Sequence, residues 1–214
     1  MTFSDHIRCI AGRCLYWLRQ LHSIRHTLTT ETTTALVNAL VISRIDYCNA
    51  VLTGVHDIYL RQLKGVLNAA ARLIVHKKYD SITSTLRDVM HWLPIQQRVD
   101  YKLGVLMFNC LHNLAPGYLT TMCHAVSENP GRHNLRSAVH RDLMVSTTRT
   151  VRYGPRSFAV AGPSIWSRRF VATGLNMELL ASVNGNQQLP ITFIGRYLKT
   201  ELYCRTYNRP LAHL

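Results

Sequence analysis

The chain has 214 residues, of which 47% are hydrophobic and 17% charged, so it can bury an apolar core and wholesale disorder is excluded. Its 25 Lys and Arg outnumber 11 Asp and Glu, which gives a formal net charge of +14, mostly from arginine. Because arginine binds phosphate through two parallel hydrogen bonds and stacks on bases, this surplus favours a nucleic-acid partner over a membrane. The alternative is that a basic piece has lost an acidic neighbour in a longer chain.

The amino terminus and the cysteines indicate the compartment. Charges interrupt the apolar residues of the first 13 positions, so no signal peptide is predicted, and the uncharged stretch 103–126 is too polar for a membrane span. We expect an intracellular protein of the nucleus or cytoplasm that is not secreted and has no membrane partner. The six cysteines form no closely spaced framework and are predicted to be reduced thiols: Cys9, Cys14, Cys48, Cys110, Cys123 and Cys204.

The first third of the chain predicts three helices. Apolar residues recur at spacings of three and four over Ile7–Leu21, which indicates one helix face, and Arg8, Arg13 and Arg19 fall largely off it. Thr29 or Thr30 can cap a second helix, whose apolar face runs on to residue 45. Residue 57, an aspartate, suits the cap of a third helix with the apolar face Leu60, Leu63, Val66, Leu67, Ala70, Leu73 and Ile74.

A long central helix is predicted next. A short helix covers residues 84–91, and Pro94 then suits the first helical position, where its missing N–H costs nothing. The second half of this long helix is apolar nearly all round, which is typical of a helix in the middle of a bundle. Pro116 and Gly117 are expected to end it.

The character of the chain changes after residue 126. Between residues 128 and 169, eight arginines face two acids, Glu128 and Asp142. Leu143, Val145 and nearby threonines predict one or two short strands, and a last helix is expected from Pro190. The predicted fold is mainly α: a helical bundle over 1–126, and a basic extension over 127–214 with a short irregular or β segment and a C-terminal helix.

The residues that catalysis requires are missing. Two-metal polymerases and nucleases need clustered carboxylates, yet the aspartates here are scattered, and neither a glycine-rich phosphate loop nor a serine nucleophile elbow occurs. We therefore predict no catalytic residue, no enzyme activity and no small-molecule substrate.

A zinc site is disfavoured on spacing. Cys110, His112, Cys123 and His124 supply four potential ligands, but residues 110 and 112 would diverge on a helix. Buried free cysteines are the preferred interpretation, so neither a metal nor another cofactor is predicted.

The strongest nucleic-acid candidates are Arg149, Arg152 and Arg156, which lie in a predicted loop without a nearby acid. Tyr153 and Trp166 are potential stacking groups, although core packing is preferred for Trp166.

Further basic candidates lie at helix ends. Arg98 and Lys102 sit at the entrance of the central helix, whereas Lys77 and Lys78 follow a helix end, where the dipole alone favours cations. For Arg44, pairing with Asp46 or Asp100 is as reasonable as a phosphate contact.

Several phrases along the chain together resemble one known family. The phrases are Thr2–Ile7, "VISRIDYCN" at Val41–Asn49, "LNAAARL" at Leu67–Leu73, "HWLPIQQRVDYK" at His91–Lys102, Tyr153–Phe158 with Ala161–Trp166, and Thr192–Leu202. In this order they resemble the part of non-LTR retrotransposon reverse transcriptases, of the Jockey and chicken-repeat type, that follows the catalytic centre.

The resemblance implies a helical thumb with a carboxy-terminal extension. The family's palm, with its paired aspartates and the Mg²⁺ they bind, has no counterpart in this chain, so the residual role would be gripping the backbone of an RNA or DNA template–primer. The alternative is a domesticated or standalone helical protein-interaction module without a nucleic-acid role. The resemblance implies structural roles for a set of signature residues: Arg44, Asp46, Tyr47, Trp92, Pro94 and Trp166.

One stretch departs from the family pattern. After Trp166 the family continues with "NSLP", whereas this chain reads "SRRFVATG" from Ser167. The departure extends over residues 167–188 and is either a lesion in a decaying copy or a real insertion.

Overall fold

The computed structural model describes residues 3–76, 81–131, 142–151, 153–170 and 191–207. The chain forms two compact units. One is built from the residues up to Arg98 with Thr206 and Tyr207, and the other from the residues between Val99 and Arg205. The described elements are mainly helical, which confirms the predicted fold class. The predicted domain boundary after residue 126 falls inside the second unit and, as a boundary between separate domains, stays a prediction.

Helix α1 spans Phe3–Ser23 and packs along α4, Asp57–Val75, in the first unit. The apolar stripe predicted for α1 is the buried one, with Ile7, Ala11, Cys14, Leu18 and Leu21 facing inward. All seven apolar residues predicted for α4 are buried too. The small side chains of Ala70 and Ala71 are fully buried, which allows close approach of a neighbouring helix.

Helix α2 begins where the sequence predicts. Thr29 caps it, its hydroxyl oxygen accepting a hydrogen bond from the Thr32 N–H at 3.2 Å. The helix covers Thr30–Val37, widens into a π-helical turn at Asn38–Ile42 and continues as α3, Ser43–Asp46. A 3₁₀ turn follows at Asn49–Leu52.

A side chain outside α4 closes its carboxyl end. Arg25, in a 3₁₀ turn at Arg25–Thr27, donates to the carbonyl oxygens of Leu73 and Ile74 at 3.0 and 3.1 Å. His76 follows in the left-handed region with φ 56°. The last carbonyls of α4 therefore have partners that helical periodicity alone does not reveal.

The helices around the central segment differ from the prediction at their ends. The predicted helix over 84–91 is α5, Ile82–Ser84, followed by a π-helical turn at Thr85–Val89. Helix α6 covers Ile95–Leu111, and Pro94 precedes it as the cap, its carbonyl accepting from the Arg98 N–H at 3.0 Å. The prediction that Pro94 is the first helical residue is wrong by one position.

Helix α6 also ends before the predicted stop. Asn113 adopts φ 56°, and the N–H groups of Leu114 and Ala115 both donate to the Asn109 carbonyl. The left-handed asparagine thus terminates the helix ahead of Pro116 and Gly117.

The remaining elements are short until the last helix. They are α7 at Gly117–Thr120, 3₁₀ turns at Val126–Glu128 and Gly154–Arg156, α8 at Phe158–Ile165, a π-helical turn at Trp166–Phe170, and α9 at Ile191–Tyr207, whose last two residues belong to the first unit.

The predicted short strands do not form in the described part of the chain. Residues 142–148 have no regular secondary structure and make one isolated antiparallel bridge, between Ala125 and Leu143. Two backbone hydrogen bonds hold this bridge, and the Ser167 hydroxyl accepts from the Leu143 N–H at 3.3 Å. A strand needs a continuing partner ladder, and β-favouring residues alone do not supply it.

Candidate nucleic-acid interface

Two signature residues of the first unit, Asp46 and Trp92, lie at one ion pair with Arg98. The Arg98 guanidinium donates to both carboxylate oxygens of Asp46, at 2.8 and 3.0 Å, and through Nε to the Leu93 carbonyl at 2.7 Å. Its central carbon lies 5.8 Å from the centre of the Trp92 ring. Only 11% of the Arg98 side chain is exposed. Arg98 therefore links two helical segments inside the unit, and its hydrogen bonds are not available to a phosphate.

This arrangement corrects the expected partner of Asp46. Arg44 is exposed on α3, and it is Arg98 that pairs with Asp46. Tyr47 follows with 77% of its surface exposed, because the chain leaves the helix at this residue. Asp46, Trp92 and Arg98 thus come together, while Arg44 and Tyr47 face solvent.

The arginine turn, Thr148–Arg156, presents the strongest predicted candidates. The Gly154 N–H donates to the Thr150 carbonyl at 3.2 Å, and a Cβ on Gly154 would overlap the Thr148 side chain. The turn is therefore tight, and it exposes Arg149 together with Val151 and Tyr153.

The arginine turn combines charge and an aromatic ring. Tyr153 is 56% exposed, and Arg156 is half-buried at the end of the turn. Arg152 lies outside the described residues. An exposed tyrosine beside arginines is the combination that stacks on a base while neutralising phosphate.

A second basic surface lies on α1 and was not singled out from the sequence as a site. Arg8, Tyr16 and Arg19 are exposed, and at 3.6 residues per turn they fall within roughly a quarter of the helix circumference. Gly12 is exposed between them, and nothing lies within 4 Å of the place where its Cβ would be. We call Arg8, Gly12, Tyr16 and Arg19 the α1 basic face. In the sequence, this face was indicated only by arginines that lie off the apolar stripe of the helix.

The other predicted residues are dispersed. Lys102 is exposed on α6, and Lys77 and Lys78 lie outside the described residues. Trp166 is 4% exposed, so it packs in the second unit, as the preferred interpretation of its role expects. Pro94 is half-buried at the start of α6.

Burial governs the ionisable groups of the interior. Desolvation raises the pKa of the thiols of Cys14, Cys110 and Cys204, and it raises the pKa of Cys123 to about 12. Burial lowers the pKa of His112. Thiols that stay protonated at neutral pH are poor nucleophiles, so these cysteines do not suggest covalent catalysis.

Two further features bear on partners. In the described residues, no three side chains of the His, Cys, Asp and Glu types group in a way that could hold a metal ion. None of the described helices combines the length and the apolarity needed to cross a membrane.

No protein-family model, curated protein or solved structure matches the chain. The likeness to reverse transcriptases, drawn from the ordered phrases, therefore stays a prediction.

Proposed function

We propose that this chain is a helical piece of a retrotransposon-derived reverse transcriptase that lacks the catalytic palm and binds the sugar–phosphate backbone of a template–primer. The proposal rests above all on the arginine turn, where Arg149, Tyr153 and Arg156 share one tight loop of the second unit. The partner is RNA or DNA, the compartment is the nucleus or cytoplasm, and neither a cofactor nor intrinsic catalysis is part of the proposal.

Backbone binding follows from the chemistry of this turn. Each arginine fork can donate two parallel hydrogen bonds to a phosphate, and the displaced counterions make the affinity depend on salt. A tyrosine ring offers a stacking surface to any base, so it adds affinity without selecting a sequence. The expected interaction is therefore tolerant of sequence and weakened by salt.

The second candidate function is a helical protein-interaction module without a nucleic-acid role. It is supported by large apolar side chains at the surface, above all Val151, with 93% of its surface exposed, and Tyr118, with 67% exposed.

The two candidates differ in one measurement. We expect the full chain to bind a fluorescently labelled RNA–DNA hybrid in anisotropy titrations at low salt. Replacing Arg149 and Arg156 by glutamine should weaken binding and flatten the plot of log affinity against log salt by about 0.9 for each phosphate that is no longer neutralised.

A matched control separates this effect from the general reduction of charge. Arg87 lies 2.9 Å from Asp88 and Arg205 lies 2.6 Å from Glu201, both outside the arginine turn. The Arg87→Gln/Arg205→Gln variant therefore removes the same charge elsewhere in the chain. Equally weakened binding in both double variants would contradict a role for the arginine turn. No binding by the folded chain at low salt would leave the protein-interaction alternative.

A further inference from the structure

Three sulfur atoms meet in the second unit. Met107 and Cys110 lie three residues apart on α6, hence on one face, and both are buried, with 0% and 4% exposure. The Cys123 Sγ lies 3.9 Å from the Met107 Sδ. The Cys110 thiol lies near enough to Cys123 to contribute to raising the pKa of Cys123. We call Met107, Cys110 and Cys123 the sulfur cluster.

Neighbouring residues hold the sulfur cluster in place. Gly162 of α8 lies so close to Met107 that a Cβ there would be 2.5 Å from the Sδ atom. The Cys123 thiol also donates to the Leu119 carbonyl at 3.5 Å, within its own turn of chain. Cys123 is partly exposed, so the sulfur cluster borders solvent at this residue.

The spacing of the sulfur atoms fits a shared metal ion. Two sulfur ligands at about 2.3 Å from one ion are about 3.8 to 4.0 Å apart when their bond angle is tetrahedral to trigonal. The distance between the Met107 and Cys123 sulfur atoms, 3.9 Å, lies in this range. The sulfur atoms of Met107 and Cys123 are thus already spaced as two ligands of one metal ion would be.

The donor types select the metal. Thiolate and thioether sulfur are soft ligands that favour Cu(I), whereas protein zinc sites use thiolate, imidazole and carboxylate. We propose that Met107, Cys110 and Cys123 form a three-coordinate Cu(I) site with two thiolates and one thioether.

Copper binding at this site is an exchange of ions without redox chemistry. Burial raises the pKa of both thiols, so they are protonated in the metal-free protein. One Cu(I) ion forms bonds to the two sulfur atoms as the two protons pass to solvent, and the Met107 thioether donates a lone pair. The copper enters and stays as Cu(I), so no oxidant or reductant is consumed.

Competition with a Cu(I) chelator tests the site. The full chain carries Cys9→Ser and Cys48→Ser, because these two cysteines are exposed and would bind copper adventitiously. Under anaerobic reducing conditions we expect this protein to remove one equivalent of Cu(I) from its bicinchoninate complex. Adding Cys123→Ser should abolish this uptake, and Met107→Leu should weaken it by about tenfold or more.

Cys204→Ser is the matched control, because Cys204 is a buried cysteine of the same unit on α9. It should leave the uptake unchanged, and circular dichroism should show that every variant is folded. X-ray absorption of the loaded protein should show only sulfur neighbours, at about 2.3 Å. Undiminished uptake in the Cys123→Ser protein, or nitrogen and oxygen neighbours in the spectrum, would overturn the assignment whatever the variants do to folding.

Discussion

The Arg98 side chain is largely buried, and its guanidinium donates two hydrogen bonds to the Asp46 carboxylate. Periodicity marks residue 98 as polar at the entrance of an apolar helix, and nothing local distinguishes a phosphate ligand from an internal ion pair. The partner lies 52 residues away along the chain. Only the tertiary structure therefore shows that Asp46 is the partner of Arg98.

Arg98→Met should destabilise the first unit because it leaves the Asp46 carboxylate without its main partner. We expect the free energy of unfolding to fall by about 2–3 kcal/mol, as for hydrogen bonds to charged groups at a poorly solvated position. Chemical denaturation followed by circular dichroism measures the decrease.

Two further variants delimit this effect. Arg87→Met removes a half-buried arginine paired with the adjacent Asp88 at the protein surface and should cost less than about 1 kcal/mol. The double variant with Asp46→Asn should show a coupling of at least about 1 kcal/mol. An Arg98 variant as stable as the Arg87 variant would show that the pair contributes little.

His112 is a second residue whose surroundings set its chemistry. Its ring lies 4.0 Å from the Phe108 ring, centre to centre, and its Nε2 atom is buried without a hydrogen-bond partner. Burial lowers the pKa of His112 below the ordinary 6.5. The folded state thus resists a proton that the unfolded state accepts.

The contribution of His112 to the free energy of unfolding should therefore be fully present above pH 6.5. It should be lost as the pH drops below that value, because the unfolded chain binds the proton at a higher pH than the folded chain does. His112→Phe removes the titration and keeps an aromatic ring, so its melting temperature should decline less than that of the wild type as the pH falls through this range. His22→Phe, at an exposed position of α1, is the control. Identical pH profiles for the wild type and the His112 variant would contradict this role.

Elements are the scale at which prediction and structure agree best. The buried faces of α1 and α4 follow from apolar spacing, because any helix with such a stripe must cover it. Helix ends were predicted less well: α6 is bounded by the Pro94 cap and by left-handed Asn113. The residue at which a helix ends depends on which of several neighbouring backbone groups forms the last hydrogen bond, and the apolar pattern does not show this.

Gly162→Ala tests how closely α8 approaches α6. The added Cβ would lie 2.5 Å from the Met107 Sδ and 3.3 Å from a Phe158 ring carbon, and the fully buried Met107 has little room to move. We expect the free energy of unfolding, measured by urea denaturation, to fall by about 1–3 kcal/mol.

Gly65→Ala is the matched control, since Gly65 is exposed within α4 and no atom lies within 4 Å of its Cβ position. There alanine should stabilise by about 0.4–1 kcal/mol. If both substitutions stabilised the protein, the close approach at Gly162 would be disproved.

At the scale of the whole molecule, the net charge of +14 is carried by surfaces in both units. The arginine turn belongs to the second unit and the α1 basic face to the first. Composition gives the sum of the charge, and the fold decides which cations are paired internally and which face solvent. Because each unit carries its own basic residues, we predict that the two contributions to nucleic-acid binding can be removed one at a time.

Arg8→Gln/Arg19→Gln should therefore flatten the salt dependence of binding to an RNA–DNA hybrid, in addition to the effect of the arginine-turn variant. The expected change in slope is about 0.9 for each phosphate that these arginines neutralise. Combining the two double variants should add their slope changes, because the slope is a sum over the phosphates that the protein neutralises. A salt slope unchanged by the α1 variant would restrict binding to the second unit.

The sequence by itself determined the helical class, the buried faces of the first helices, the α2 cap to within one residue and the basic character, because these depend on composition and on spacing within a few turns. The order of its phrases also carried the likeness to reverse transcriptases, which remains a prediction. The tertiary structure alone decided that Arg98 pairs with Asp46, that Met107 lies beside Cys123, and that residues 142–148 make only one isolated bridge among the described residues. These outcomes depend on contacts between distant segments, about which local periodicity carries no information.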